Sequence, residues 1–161
     1  MSDLQESAHY DPRSLRSIEI LLDECQPDLV VWGGDNCYGP EIKSEQDLID
    51  FLDIFTEPME KRKIPWVHIF GNHDHDAPVP IERQQEIYES YTCCISLHTD
   101  QTIHGKSNFM LPVCGIRLLW DACVGYRCYG VDERRGGRLF IYNEDDPAKV
   151  NTTMIRTYGK L

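Results

Sequence analysis

Two short apolar runs that each stop at glycine constrain this chain more than any other feature. Leu29-Val30-Val31-Trp32 runs into Gly33-Gly34-Asp35-Asn36, and Pro65-Trp66-Val67-His68-Ile69-Phe70 runs into Gly71-Asn72-His73-Asp74. Both are short and bulky, the pattern of buried strands. A helical repeat lies between them. That order predicts two parallel neighbours joined by a right-handed crossover, with both loops at carboxyl ends of strands on one edge of one sheet. Open α/β sheets place their chemistry at that edge.

The contents of the loops point to a metal. Asp35 supplies a hard carboxylate that can bridge two cations, Asn72 an amide oxygen and His73 an imidazole, each after glycines that permit tight turns. An amide oxygen is a useful ligand mainly beside charged donors. A histidine next to it, free of the metal, can protonate a leaving oxygen.

At these residues the sequence resembles the calcineurin-like metallophosphoesterases, in their purple-acid-phosphatase-like branch. The family pattern runs D-x-H, G-D, G-N-H-D/E, then a lone His and G-H-x-H. Gly34-Asp35 and Gly71-Asn72-His73-Asp74 match the second and third motifs, and Asp3-Leu4-Gln5 is an altered first motif with Gln5 in place of His. G-D alone carries little information, but G-N-H-D after a strand, downstream of a strand-borne G-D, is a specific combination. Similarity continues through Pro27-Asp28-Leu29-Val30-Val31 and Arg83-Gln84-Gln85-Glu86-Ile87-Tyr88 and ends near Pro112.

The resemblance implies an α/β fold: a βαβ core of a double-sheet sandwich flanked by helices. At 161 residues the chain is long enough for one core. It is shorter than the on the order of 200 residues such a domain needs. The expectation is therefore a fold incomplete at both ends, with 1–112 as the N-terminal part of the phosphoesterase domain and 113–161 as a divergent segment. Missing strands would leave exposed sheet edges, which predicts self-association and poor solubility.

A net charge of −11 argues against nucleic-acid or anionic-membrane binding, both of which draw on lysine and arginine. It suits a protein that handles phosphate through cations. The bland alternative is a solvated acidic surface. Seven cysteines contain no C-x-x-C pair, which reads as reduced thiols in a cytoplasmic protein. No signal peptide or membrane-spanning run is evident.

Taken in order, Met1 to Gln5 leaves two readings open for Asp3 and Gln5: metal ligands, or a frayed acidic terminus with no strand beneath it. Ser14 is the predicted cap of a helix that buries Leu15, Ile18, Leu21, Leu22 and Cys25. Ser44 with Asp47 forms a variant capping box for a second helix carrying Leu48, Ile49, Leu52, Phe55 and Met59. Lys61-Arg62-Lys63 at its end complements the helix dipole. Trp32, Trp66 and Phe70 are core candidates, and Tyr38 could line a substrate mouth. His68, inside a strand, reads as a satisfied core histidine. His75 and Asp76 are either orienting groups for His73 or plain loop residues.

Pro80 opens a third helix with Ile81, Ile87, Tyr88 and Tyr91. Asn108-Phe109-Met110-Leu111-Pro112 and Ile116-Arg117-Leu118-Leu119-Trp120 read as a hairpin of the second sheet, and His98 and His104 as solvated. Arg134-Arg135-Gly136-Gly137-Arg138 reads as a turn between strands rather than a phosphate contact.

By resemblance, two divalent ions (Mn, Fe or Zn) would be bridged by Asp35, with Asp3 and Gln5 on one and Asn72 on the other. They would activate a water for attack on the phosphorus of a phosphoester substrate. His73, held by Asp74, would bind a phosphoryl oxygen or protonate the leaving alkoxide. No histidine follows His104, so the lone His and G-H-x-H have no counterpart. One weakly held ion is then the limit, because affinity depends on a full ligand set. Phosphoester hydrolysis and an inactive remnant or binding module are the two functional readings.

Overall fold

The computed structural model describes residues 1–96, 135–142, 146 and 149–160. The expected hairpin at 108–120, His98 and His104 lie outside the described residues. Two strands, β1 (Val30–Gly33) and β2 (Trp66–Ile69), pair in parallel with Val30 opposite Trp66 and Gly33 opposite Ile69. Helix α2 (Glu45–Arg62) connects them, so the βαβ core read from the sequence is present.

The ladder extends on both sides. Beyond β2, Trp66 forms a parallel bridge to Cys94, with Trp66 N–H donating to Cys93 O at 2.9 Å and Ile95 N–H to Trp66 O at 2.8 Å. Beyond β1, Gly33 N–H donates to Met1 O, Asp3 N–H to Gly34 O, Gln5 N–H to Asp35 O and Tyr38 N–H to Glu6 O. Residues 1–6 are therefore laid along β1 and its loop. The frayed-terminus reading is thereby corrected. Leu4 and Glu6 are fully buried, and the Glu6 carboxylate accepts from Ser14 Oγ at 2.6 Å and from Asp11 N–H at 3.3 Å.

Helix α1 (Pro12–Cys25) starts earlier than predicted. Asp11, not Ser14, is its N-cap and accepts from Arg13 N–H, because Pro12 occupies the first turn where its missing N–H costs nothing. Ser14 is instead buried against Glu6. For α2 the reading holds: Ser44 accepts from Asp47 N–H, while Asp47 accepts from Lys43 N–H. Lys61 and Arg62 occupy its last turn, paired with Glu57 and Asp23, and Lys63 closes it in the left-handed conformation.

Helix α3 (Ile81–Glu89) follows Pro80 and buries Ile87 and Tyr88. An aromatic cluster then fills the space between sheet and helices. Trp32 meets Phe51, Trp66 and Tyr88 with ring centroids at 6.0, 6.1 and 6.3 Å. Phe70 is only partly buried at its margin. His68 is the satisfied core histidine the pattern implies: its ring stacks on Tyr88 at 4.0 Å, and its nitrogens meet Ser96 Oγ and Gln85 Oε1.

A separate antiparallel hairpin pairs β3 (Gly136–Tyr142) with β4 (Val150–Arg156). The turn expected at Arg134–Arg138 is corrected over Gly136, Gly137 and Arg138, which face Arg156, Ile155 and Met154 in the ladder. A Cβ at Gly136 would collide with Ile155 O, so glycine serves close strand approach here rather than a turn. Ser17 Oγ donates to Thr157 Oγ1 at 3.0 Å, and Lys160 pairs with Glu24, tying the hairpin to α1.

Candidate functional site

The parallel pairing brings Gly34-Asp35-Asn36 and Gly71-Asn72-His73-Asp74 to the same edge of the sheet. They are in direct contact: a Cβ on Gly34 would sit 2.7 Å from Gly71 N. Gly34 has φ +91° and Asp35 φ +51°, so the chain turns through the left-handed region to present the Asp35 carboxylate.

Asp74 latches the two loops together. It is fully buried, and its Oδ2 accepts from Asp35 N–H at 2.9 Å and Gly71 N–H at 2.7 Å, while Oδ1 accepts from Asn36 N–H at 2.9 Å. Burial raises its pKa, the three amide donors pull it down, and the Asp35 charge raises it further; the net direction is up. Asp35 Oδ1 in turn accepts from His73 N–H at 2.8 Å.

The expectation that Asp74 holds the His73 ring is corrected. All three Asp74 contacts above go to backbone amides, and Nδ1 of His73 is engaged by Asp76 Oδ2 at 2.8 Å. The cause is a 3-10 turn over Asp74–Asp76, in which Asp76 N–H donates to His73 O and brings the i+3 side chain under the ring. Hydrogen bonding to Asp76 is the main cause that raises the His73 pKa; slight burial opposes it, and the charges of Asp35, Asp76 and Asp74 add to it. His75 is exposed. Of the two open readings, Asp76 is the orienting group and His75 is a loop residue.

The remaining sequence candidates lie around the same edge. Asp3 and Gln5 both have positive φ, 51° and 45°, and their backbones bond Gly34 O and Asp35 O. Gln5 is 8% exposed, yet its carboxamide has no hydrogen-bond partner among the described residues. Asn72 is exposed. Tyr38, also exposed, follows the Asp35 loop at the start of a short turn. Sequence reasoning missed Asn36, whose fully buried carboxamide lies beside the Tyr88 hydroxyl with no partner in hydrogen-bonding geometry. It also missed Cys37, a buried thiol that burial and the nearby Asp74, Asp76 and Asp35 charges push up to about 12, far from a nucleophile.

The donors present fit one hard cation. Asp35 Oδ2 has no partner among the described residues, and Asp3, Gln5 and Asn72 add oxygen donors at the same edge. Among the described residues no group of three or more His, Cys, Asp or Glu side chains gathers to hold a metal.

A parallel βαβ unit thus carries a carboxylate, two carboxamides and a carboxylate-held histidine at its carboxyl edge. The calcineurin-like phosphoesterase family matches residues 1–154, and the chain belongs to it, which implies the sandwich fold of that domain. Members typically bind two metal ions and act on phosphoesters. Similar proteins include phosphatase DCR2 of Saccharomyces cerevisiae, 34% identical over 82 residues, and probable inactive purple acid phosphatase 14 of Arabidopsis thaliana, 39% identical over 57 residues. These alignments cover 51% and 35% of this chain and 14% of each relative, so the chain spans only a small part of their length. Active and inactive namesakes thus stand side by side among its relatives.

Proposed function

We propose that this chain is a phosphoester hydrolase that binds its substrate at the edge between the Asp35 and His73 loops. The observation that carries this reading is the Asp35–His73–Asp76 series: one carboxylate buttressing the loop that carries the histidine, and a second holding its ring. Asp35, Asp3, Gln5 and Asn72 would hold a divalent cation, which when bound would neutralise phosphoryl charge and lower the pKa of water. The chain's own contribution is the proton. His73 has its Nδ1 engaged by Asp76, a bond that raises its pKa, and in its imidazolium form it offers Nε2–H to the oxygen of the departing alcohol. Water adds to phosphorus, the P–O bond to the alcohol breaks, and that oxygen leaves with the His73 proton. A cytoplasmic location is part of the proposal, in keeping with the free thiols of Cys25, Cys37, Cys93 and Cys94.

A second reading, a phosphoester-binding module without turnover, is favoured by the shortage of nitrogen and carboxylate ligands among the described residues. Turnover of an aryl phosphate by the purified chain with Mn²⁺, Fe²⁺ or Zn²⁺ separates the two. Hydrolysis should fall by roughly 100-fold or more in Asp35→Asn and His73→Ala, the scale of a lost general acid. Full activity in either variant removes the assignment. Binding of inorganic phosphate with cation but without turnover establishes the second reading.

A further inference from the structure

Helices α2 and α3 lie side by side in a fixed register that leaves a groove open between them. Arg83, in the first turn of α3, donates to Glu45 at 2.9 and 2.6 Å, and Tyr91, just past the end of α3, donates its hydroxyl proton to Asp53 at 2.7 Å; each pair is separated by 38 residues. A constant separation means parallel helices. Ile49 and Ile87 keep the same offset between those two pairs and line a cavity of about 270 Å³. The groove therefore has three layers in order: a closed ion pair, an apolar floor and an acid–phenol pair. Both helices follow strands and start at their carboxyl edge, so Glu45 and Arg83 shut the end nearest the site and the groove runs away from it.

Charge is not balanced along these layers. Arg83 is committed to Glu45 and, at 2.6 Å, to Glu86. Asp53 accepts only from Tyr91, through Oδ1, and neighbouring Asp50 only from Gln46 Nε2, so among the described residues neither carboxylate has a cationic partner. Burial, the bond to Asp53 and the charges of Asp53, Glu60 and Asp50 all raise the Tyr91 pKa, which keeps its hydroxyl the donor. We propose that this groove docks an extended segment of a partner protein that carries an apolar residue and an arginine two positions apart. Four residues of helix advance about 6 Å, and alternate side chains of an extended chain lie about 6.6 Å apart on one face. The apolar side chain then rests on Ile49 and Ile87 while the arginine reaches Oδ2 of Asp53. A guanidinium can fork to that carboxylate and lie on the Tyr91 ring, which an ammonium does less well. The cavity is smaller than the roughly 300–1,000 Å³ of small-molecule pockets, so it takes single side chains rather than a whole ligand. A second copy of the chain has the wrong sign, since each carries a net charge of −11. The surface lies apart from the Asp35 and His73 loops, and its role does not depend on the hydrolase reading.

The test is amide NMR of the 161-residue chain titrated with the end-capped peptide Gly-Leu-Thr-Arg-Gly and with its reverse. One of the two should bind at low salt with a dissociation constant on the order of 0.1–1 mM, and the shifted amides should be confined to the facing turns of α2 and α3 and to Tyr91. Asp53→Asn, at an exposed position that leaves the fold in place, should weaken binding about fivefold or more. Asp50→Asn, which removes a charge but leaves the groove lining intact, should change it less than about twofold. Lysine in place of the peptide's arginine, or glycine in place of its leucine, should each cost about threefold or more. No binding by either peptide, shifts spread over the acidic surface, or equal losses in Asp50→Asn and Asp53→Asn overturn the proposal. Spermidine that displaces the peptide at concentrations where the peptide itself binds also overturns it, because the groove would then take bare positive charge rather than a protein segment.

Discussion

Lowering the pH from about 7 to about 4 should cost the fold about 3 kcal/mol through one side chain, His68. Its imidazole is fully buried, stacked on Tyr88 and in edge contact with Phe70 at 5.0 Å. The polarity of its hydrogen bonds is determined by the chain of donors around it. Gln85 Nε2 donates to Glu89 Oε1, so Gln85 Oε1 accepts from His68 Nε2–H; Ser96 Oγ–H then donates to Nδ1. Every site suits the neutral ring; a second ring proton would make the Ser96 hydroxyl turn from donor to acceptor and would place a charge away from water. Burial accordingly lowers the pKa from 6.5 to about 4, with the Gln85 bond opposing only in part.

The sign follows from linkage. Above about pH 6.5 neither state binds the proton and stability is at its full value; below it the unfolded chain is protonated and the folded chain is not, so stability falls by about 1.4 kcal/mol per pH unit until about pH 4. Urea unfolding of the parent and of His68→Gln, followed by tryptophan fluorescence at several pH values, isolates this contribution from the carboxylates that titrate in the same window. The variant loses the stacking and is less stable at neutral pH, but the difference between the two proteins should shrink by about 3 kcal/mol on going to pH 4. Parallel profiles for parent and variant, or a His68 ring that protonates near pH 6.5 by NMR, would refute the reasoning.

Three further outcomes can be checked directly. Asp74→Ala strips acceptors from three amides and should lower unfolding free energy by about 3 kcal/mol or more in denaturant titration, with Asp74→Asn recovering part of the loss. Gly34→Ala forces a side chain into the left-handed region and against Gly71, so cation affinity measured by calorimetry should drop even though no donor is removed. Phe51→Ala opens the aromatic cluster and should cost about 3–5 kcal/mol, whereas Val31→Ser, at a residue 43% exposed, should leave stability nearly unchanged and reduce self-association seen in light scattering.

Much of the core was legible because its signals are local. Apolar runs ending at glycine located β1 and β2, the Ser44–Asp47 spacing located the start of α2, and the order strand, helix, strand dictated parallel pairing. The errors share one cause. Ser14 loses the capping role to Asp11 because Glu6, distant from the helix repeat, draws the serine inward. Gly136 and Gly137 carry a turn composition but are taken into a strand by a partner strand more than ten residues downstream. Residues 1–6 look unsupported in sequence, and it is β1, not a strand of their own, that orders them.

The same division runs through the site. The candidate residues Asp35, Asn72 and His73 were legible in the sequence alone, because G-D and G-N-H-D each follow a strand at a particular spacing. That no histidine follows His104 in this sequence is likewise legible without any coordinates. Which acid serves which partner was decided only by the tertiary structure. Asp74 and Asp76 are two carboxylates separated by a single residue, and no local rule distinguishes them. Packing does: one is carried inward to the amides of a neighbouring loop that a parallel strand pairing delivers, and the other is left beside the imidazole with Gly39 at its back. Hydrogen-bond partners that lie more than thirty residues apart exist only once the sheet has formed.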